Sequence, residues 1–161
     1  MDLKDFIGHE KSLEEFISWR SKERLGPKYM HLPFLPFYCF RLPHAIASKL
    51  GLFDEGFGKG GAEDIDYRIR ANLNGFEVAI ALDSYVLHFM GKSTWRGAET
   101  PEQTEERNYI YKEEFIKKWG EKLANIFLIP SNADAEIKKH SLEQEWVDRK
   151  YKAIIEKCLL P

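Results

Sequence analysis

At 161 residues the chain is long enough for one domain with a real core, and its formal net charge of −2 gives no electrostatic reason to expect a nucleic-acid or membrane-surface partner. Hydrophobic residues make up 43% and charged residues 31%, with no apolar run near the roughly 20 residues that cross a bilayer. The acidic, amphipathic start is unlike a secretory leader, and Cys39 and Cys158 are far apart and in no C-x-x-C pair. This fits reduced, buried thiols in a cytoplasmic protein, free in the cytosol or at the inner face of the membrane.

In chain order, Leu3, Phe6, Ile7, Leu13, Phe16, Ile17 and Trp19 recur at helical spacing, and Gly26-Pro27 punctuates the end of that segment. The aromatic run that follows is broken by Pro33, Pro36 and Pro43, and a strand is expected there only at 37–41. HAIASKLG predicts a short helix stopped by Gly51. After a glycine-rich stretch, a helix is expected from Ala62 to Asn74, with Ile65, Ile69, Leu73 and Phe76 as its buried stripe and Gly75 as its stop. FEVAIAL reads as a strand and SYVLHF as a second short one. Pro101 to Ala124 is expected as an amphipathic helix carrying Tyr111, Phe115 and Trp119. NIFLIP is expected to be extended. A last helix from Ala133 to Leu159 would place Val147, Tyr151, Ile154, Ile155 and Cys158 on one face. The pattern is α/β with few strands, flanking helices and a long C-terminal helix.

The chemistry concentrates in GFGKGGAEDIDYR, residues 56–68. Gly56, Gly58 and Gly61 satisfy G-x-G-x-x-G, but GLFDE before them is not the hydrophobic strand that a dinucleotide site requires. Lys59 precedes Gly60 where a Walker loop needs Ser or Thr. Asp64-Ile65-Asp66 is a literal D-x-D. On a helix, residues two apart point about 200° away from each other, so these two carboxylates do not converge on one cation. The plain alternative is that Glu63 and Asp64 complement a helix N-terminus, worth about 0.3–1 kcal/mol. Arg68, four residues beyond Asp64, pairs with it or forms an unremarkable solvated pair. His88 closes an apolar stretch and is a hydrogen-bonded core or loop residue or a ligand. Trp95 is a core anchor or a stacking platform.

Taken together, Gly51-Leu52-Phe53-Asp54-Glu55-Gly56-Phe57, then Glu63-Asp64, Gly75-Phe76, His88 and Gly91-Lys92-Ser93 follow one another at a spacing that resembles the acceptor-side half of GT-A fold glycosyltransferases. The resemblance is to glycosyltransferase family 2 and the related galactosyltransferase C-terminal domain, and covers about sixty residues well. It implies a partial GT-A, Rossmann-like domain: a helical lead-in over 1–35, an acceptor-side core over 36–120 and a C-terminal helical extension over 121–161. It also implies that Asp64 acts as the base on the acceptor hydroxyl in an inverting transfer, with Glu63 orienting Asp64 or the acceptor. Gly60, Gly61, Trp95 and Arg68 would stand near the substrate, and His88 would contribute to Mn²⁺ or Mg²⁺ binding. The implied partners are a nucleotide-sugar donor and a saccharide or glycan acceptor. Residues 1–35 carry no strand running into an acidic pair, so the donor-binding half is expected from elsewhere, in cis or in trans. The chain alone is expected to be inefficient in transfer. The competing reading is a non-catalytic carbohydrate-binding or assembly module.

Overall fold

A computed structural model describes residues 14, 15, 18, 22, 28–32, 37–82, 84, 86 and 99–160. Its elements are β1 (Tyr29–His31), α1 (His44–Leu50), a 3-10 turn (Glu55–Phe57), α2 (Glu63–Leu73), β2 (Ala79–Ala81), α3 (Pro101–Leu123), a π-turn (Ala124–Leu128), α4 (Pro130–Lys139), α5 (Glu143–Val147) and α6 (Tyr151–Leu159). Among the described residues this is an α/β mix dominated by helix, with one two-stranded sheet. Of the expected N-terminal lead-in, Glu14, Glu15, Ser18 and Lys22 are helical.

The sheet departs from the sequence expectation. β1 and β2 pair antiparallel, with Met30 opposite Ile80. The strand in the aromatic run therefore precedes Pro33, where every residue keeps its N–H, while 37–41 is irregular. β2 occupies only the last part of FEVAIAL. Of the expected second strand, Ser84 and Val86 are described and lie in no strand; the rest falls outside the described residues.

α2 forms where expected, but of its expected buried stripe only Ile69 is buried, while Ile65, Leu73 and Phe76 are half-buried; its exit follows from glycine chemistry. Gly75 takes φ 79°, its N–H donates to the Asn72 carbonyl, and the Phe76 N–H donates back to Ala71 at 2.9 Å. This 6→1 and 5→2 pairing is a Schellman turn, which satisfies carbonyls the helix would leave open. α3 starts on a capping box: the Thr100 side chain accepts from the Gln103 N–H, the Gln103 side chain accepts from the Thr100 N–H, and Pro101 fills the first helical position. Gly120, at φ 83° and ψ 164°, breaks its helical path near the end.

Two further expectations fail. NIFLIP is not extended; residues 124–128 continue as a π-turn, closed by the Ile129 N–H on the Ala124 carbonyl at 2.9 Å. The single helix expected over 133–159 is three helices. Its breaks are Schellman turns in which Ser141 (φ 52°) and Arg149 (φ 57°) take the left-handed position, with Leu142 donating to Ile137 and Lys150 to Glu145. Neither break holds a glycine, so the usual stop signal is missing. Val147, expected on the packed face, is 74% exposed, whereas Tyr151, Ile154, Ile155 and Cys158 are buried as expected.

The core lies between α2 and the C-terminal helices. Phe57, Ala62, Ile69, Phe115, Leu123, Ile126, Phe127, Ile137, Leu142, Ile154 and Ile155 form one buried cluster, with Ile65, Leu73, Tyr111 and Trp119 packed at its edge. Each fully buried Leu, Ile or Phe contributes about 1.5–3 kcal/mol, enough to fix where α2 sits. Both cysteines are free thiols; Cys158 is buried, and Cys39, expected to be buried, is exposed in the irregular segment after the prolines.

Candidate active site

α2 presents its acidic residues to two different environments. Asp64 and Asp66 meet different neighbours, as the helical geometry requires.

Asp66 faces α3 and has no exposed surface. One carboxylate oxygen accepts from Trp119 Nε1 at 2.9 Å and meets Lys118 Nζ at 2.8 Å; the other accepts from Arg70 Nε at 2.8 Å. Arg70 also donates to the Leu50 and Leu52 carbonyls at 2.7 and 3.0 Å, and Lys118 bridges to Asp54. Asp54 in turn accepts from the Gly56 N–H, a turn role that aspartate favours. The segment from Leu50 to Gly56 is thereby tied to α2 and α3 through charge. The hydrogen bonds from Lys118 and from the Gly56 N–H hold the Asp54 carboxyl below its ordinary value. Burial pushes Lys118 down, but its bonds to Asp54 and Asp66 outweigh that and raise it.

Asp64 faces the other way. Burial raises its carboxyl above the ordinary value and the Glu63 charge raises it further; the Ile65 N–H, the Arg68 charge and the Phe37 N–H act in the opposite sense without overcoming the rise. Glu63 itself turns back to accept from the Gly61 N–H. Gly60 lies beside that carboxylate, with φ 113°, a conformation L side chains rarely adopt. A Cβ on Gly61 would overlap the Tyr111 ring. The close backbone approach at Gly61 is thus made to an aromatic ring of α3.

Arg68 is 2% exposed, so it does not take the solvated surface position that the sequence allows; the Asp64 charge acts on it from one turn earlier on α2. Its guanidinium lies 5.9 Å from the centre of the Phe37 ring. Burial pushes it down to about 10, against the opposing pull of Asp64 and Tyr151.

Beside this face opens a cleft of about 650 Å³, between residues 37–43 and the strand β2. Tyr67 and Ala71, three and seven residues beyond Asp64 on the same side of α2, line it, as does Phe37. Phe37, Phe40, Phe53 and Tyr67 form a continuous aromatic group, with ring centres 5.1 Å apart for Phe37–Phe40 and 4.6 Å for Phe53–Tyr67. The Tyr67 hydroxyl donates to the Gly51 carbonyl at 3.0 Å. A pocket of this size, mostly apolar with a few polar groups, is typical of small-molecule sites.

The sequence reading missed Lys118, Trp119 and the aromatic group. Lys118 is 64 residues from Asp54, and no local pattern links them. The only available signal for the cleft was the density of aromatics after Met30. His88 and Trp95 lie outside the described residues. Among the described residues, no group of three or more His, Cys, Asp or Glu could hold a metal, and Asp66 is committed to cations of the protein. The described residues therefore do not by themselves fit the implied Mn²⁺ or Mg²⁺. No helix among them is long and apolar enough to cross a membrane.

Compared with family models, with curated proteins and with solved structures, the chain gives no significant match in any of the three.

Proposed function

We propose that the chain is the acceptor-binding, base-carrying portion of an inverting nucleotide-sugar glycosyltransferase of the GT-A type, completed by a donor-binding half in cis or in trans. The observation that carries this reading is Asp64: a carboxyl raised by burial, in the first turn of α2, beside a cleft walled by Phe37 and Tyr67. A general base works best when its pKa lies toward the operating pH and its position is fixed. A half-buried carboxylate whose pKa is raised is shifted toward both needs, in contrast to a solvated helix-start acid. In this reading the acceptor lies against the aromatic group, Asp64 takes the proton of its attacking hydroxyl, and the hydroxyl displaces the nucleoside diphosphate. Glu63 acts through its hold on Gly61, keeping the loop and the start of α2 in register. Mn²⁺ or Mg²⁺ would neutralise the leaving diphosphate; His88 and the donor half are its proposed ligands, and no step above depends on it. The protein's place is the cytoplasm or the inner face of its membrane.

The test is sugar transfer with the donor half supplied. Asp64→Asn is expected to lower turnover by about 10²–10⁴-fold while acceptor binding persists, the span that general bases supply. Unchanged turnover would favour the non-catalytic carbohydrate-binding or assembly module. The 161-residue chain alone is expected to show no efficient transfer.

A further inference from the structure

The carbonyls of three consecutive residues, Leu50, Gly51 and Leu52, each accept from a side chain of α2. Arg70 Nη1 donates to Leu50 at 2.7 Å, the Tyr67 hydroxyl to Gly51 at 3.0 Å and Arg70 Nη2 to Leu52 at 3.0 Å. Gly51, at φ 80°, supplies the left-handed turn between the two carbonyls that Arg70 takes. Leu52 is itself 87% exposed, so burial of its side chain contributes little to holding this stretch. The remaining donor, Arg70 Nε, meets Asp66 at 2.8 Å, and Asp66 is held in turn by Trp119 and Lys118 from α3. The guanidinium also lies 4.5 Å from the centre of the Tyr67 ring. Its fork is thus oriented by a fully buried anion on one edge and spent on backbone carbonyls at the other.

The next residue in the chain is Phe53. Its ring meets Tyr67 at 4.6 Å, Phe40 at 5.8 Å and Phe37 at 6.4 Å between centres. All three of those rings line the cleft. Phe53 is therefore the ring that the lining aromatics share. Arg70 grips the backbone just before it, and Asp54, just after it, is taken up by Lys118 and the Gly56 N–H.

We propose that Arg70 is a positioning residue of the cleft: by holding the Leu50 and Leu52 carbonyls it sets the Phe53 ring against Phe37, Phe40 and Tyr67, and so fixes the aromatic wall on which the acceptor lies. The functional meaning rests on the cleft being the acceptor site. The role demands arginine. A guanidinium presents several N–H groups in a rigid plane that can serve two carbonyls and a carboxylate together while stacking on a ring, whereas a lysine ammonium is a point charge that would stay with Asp66. Arg70 acts through Phe53 and touches no substrate itself.

NMR of the 161-residue chain tests the geometry independently of turnover. In Arg70→Lys the nuclear Overhauser contacts between the Phe53 and Tyr67 rings are expected to be lost, while those between Phe57 and Phe115, a core pair with ring centres 6.5 Å apart, persist. Phe53–Tyr67 contacts unchanged in both Arg70→Lys and Arg70→Met would overturn the proposal. Should neither variant fold, the unaltered chain decides: couplings across the hydrogen bonds from the Arg70 side-chain nitrogens to the Leu50 and Leu52 carbonyl carbons are expected, and freely averaging Nη resonances without them would overturn it. With the donor half supplied, Arg70→Lys is expected to raise the acceptor KM by about 10–10²-fold with kcat nearly kept, the mark of lost binding and not of lost chemistry. An unmoved KM would equally overturn the proposal. Lost ring contacts together with full turnover in Asp64→Asn would leave the hold of Arg70 standing and remove the catalytic reading.

Discussion

On the α3 side of α2, Asp66 is met by an indole N–H, an ammonium and a guanidinium, and the loop from Leu50 to Gly56 is tied to the same charges. On the cleft side, Asp64 is half-buried, with one attracting cation, one repelling neighbour and two backbone donors, and its carboxyl is raised. Two aspartates two residues apart thus occupy opposite regimes. A carboxylate surrounded by donors is a structural tie. One that burial leaves short of compensation is poised to change its protonation, which is how sites of proton transfer are usually built.

The most forceful way to break this contrast is Asp66→Ala, which leaves Lys118 and Arg70 without their shared anion. A loss of about 3–5 kcal/mol is expected, read from the urea midpoint. Gly61→Ala is next, at about 1–3 kcal/mol, because its Cβ overlaps the Tyr111 ring; the same change in a Tyr111→Ala background should cost less, which a double-mutant cycle will show. Asp64→Asn should act in the opposite direction. The folded-state carboxyl titrates above its unfolded value of 3.8, so its contribution favours the fold at low pH and is lost as pH rises through the folded value. The variant should therefore melt higher than the parent at pH 7, with the gain shrinking as pH falls toward 3. No gain at pH 7 would mean that Asp64 is adequately compensated and the contrast is false. Smallest of all, Val147→Ser should stay within about 0.5 kcal/mol, as an exposed position predicts.

What the sequence disclosed follows the range of the interactions. α2 and its end at Gly75 were legible because periodicity and a glycine stop are local signals. The start of α3 was foreseen at Pro101, although its capping box was not read. The C-terminal breaks were hidden because Ser141 and Arg149 occupy left-handed positions that glycine usually marks, while apolar residues continue on either side. β1 was misplaced because the proline-broken aromatic run drew attention downstream of Tyr29–His31. In the candidate site, Asp64 is singled out by its order among the motif residues, a reading that rests on the resemblance. Its difference from Asp66 was not legible, because Lys118 and Trp119 come from more than fifty residues away.

Cys39 and Cys158 are the only cysteines in the chain, and their unequal settings have a practical consequence. Cys39 is exposed on the wall of the cleft; Cys158 is buried, and burial pushes its thiol up, away from the reactive thiolate. The sequence therefore already carries a single addressable handle on the wall of the cleft. A fluorophore or spin label attached there reports on occupancy of the cleft without an engineered cysteine, and the second thiol becomes available only when the helical core opens.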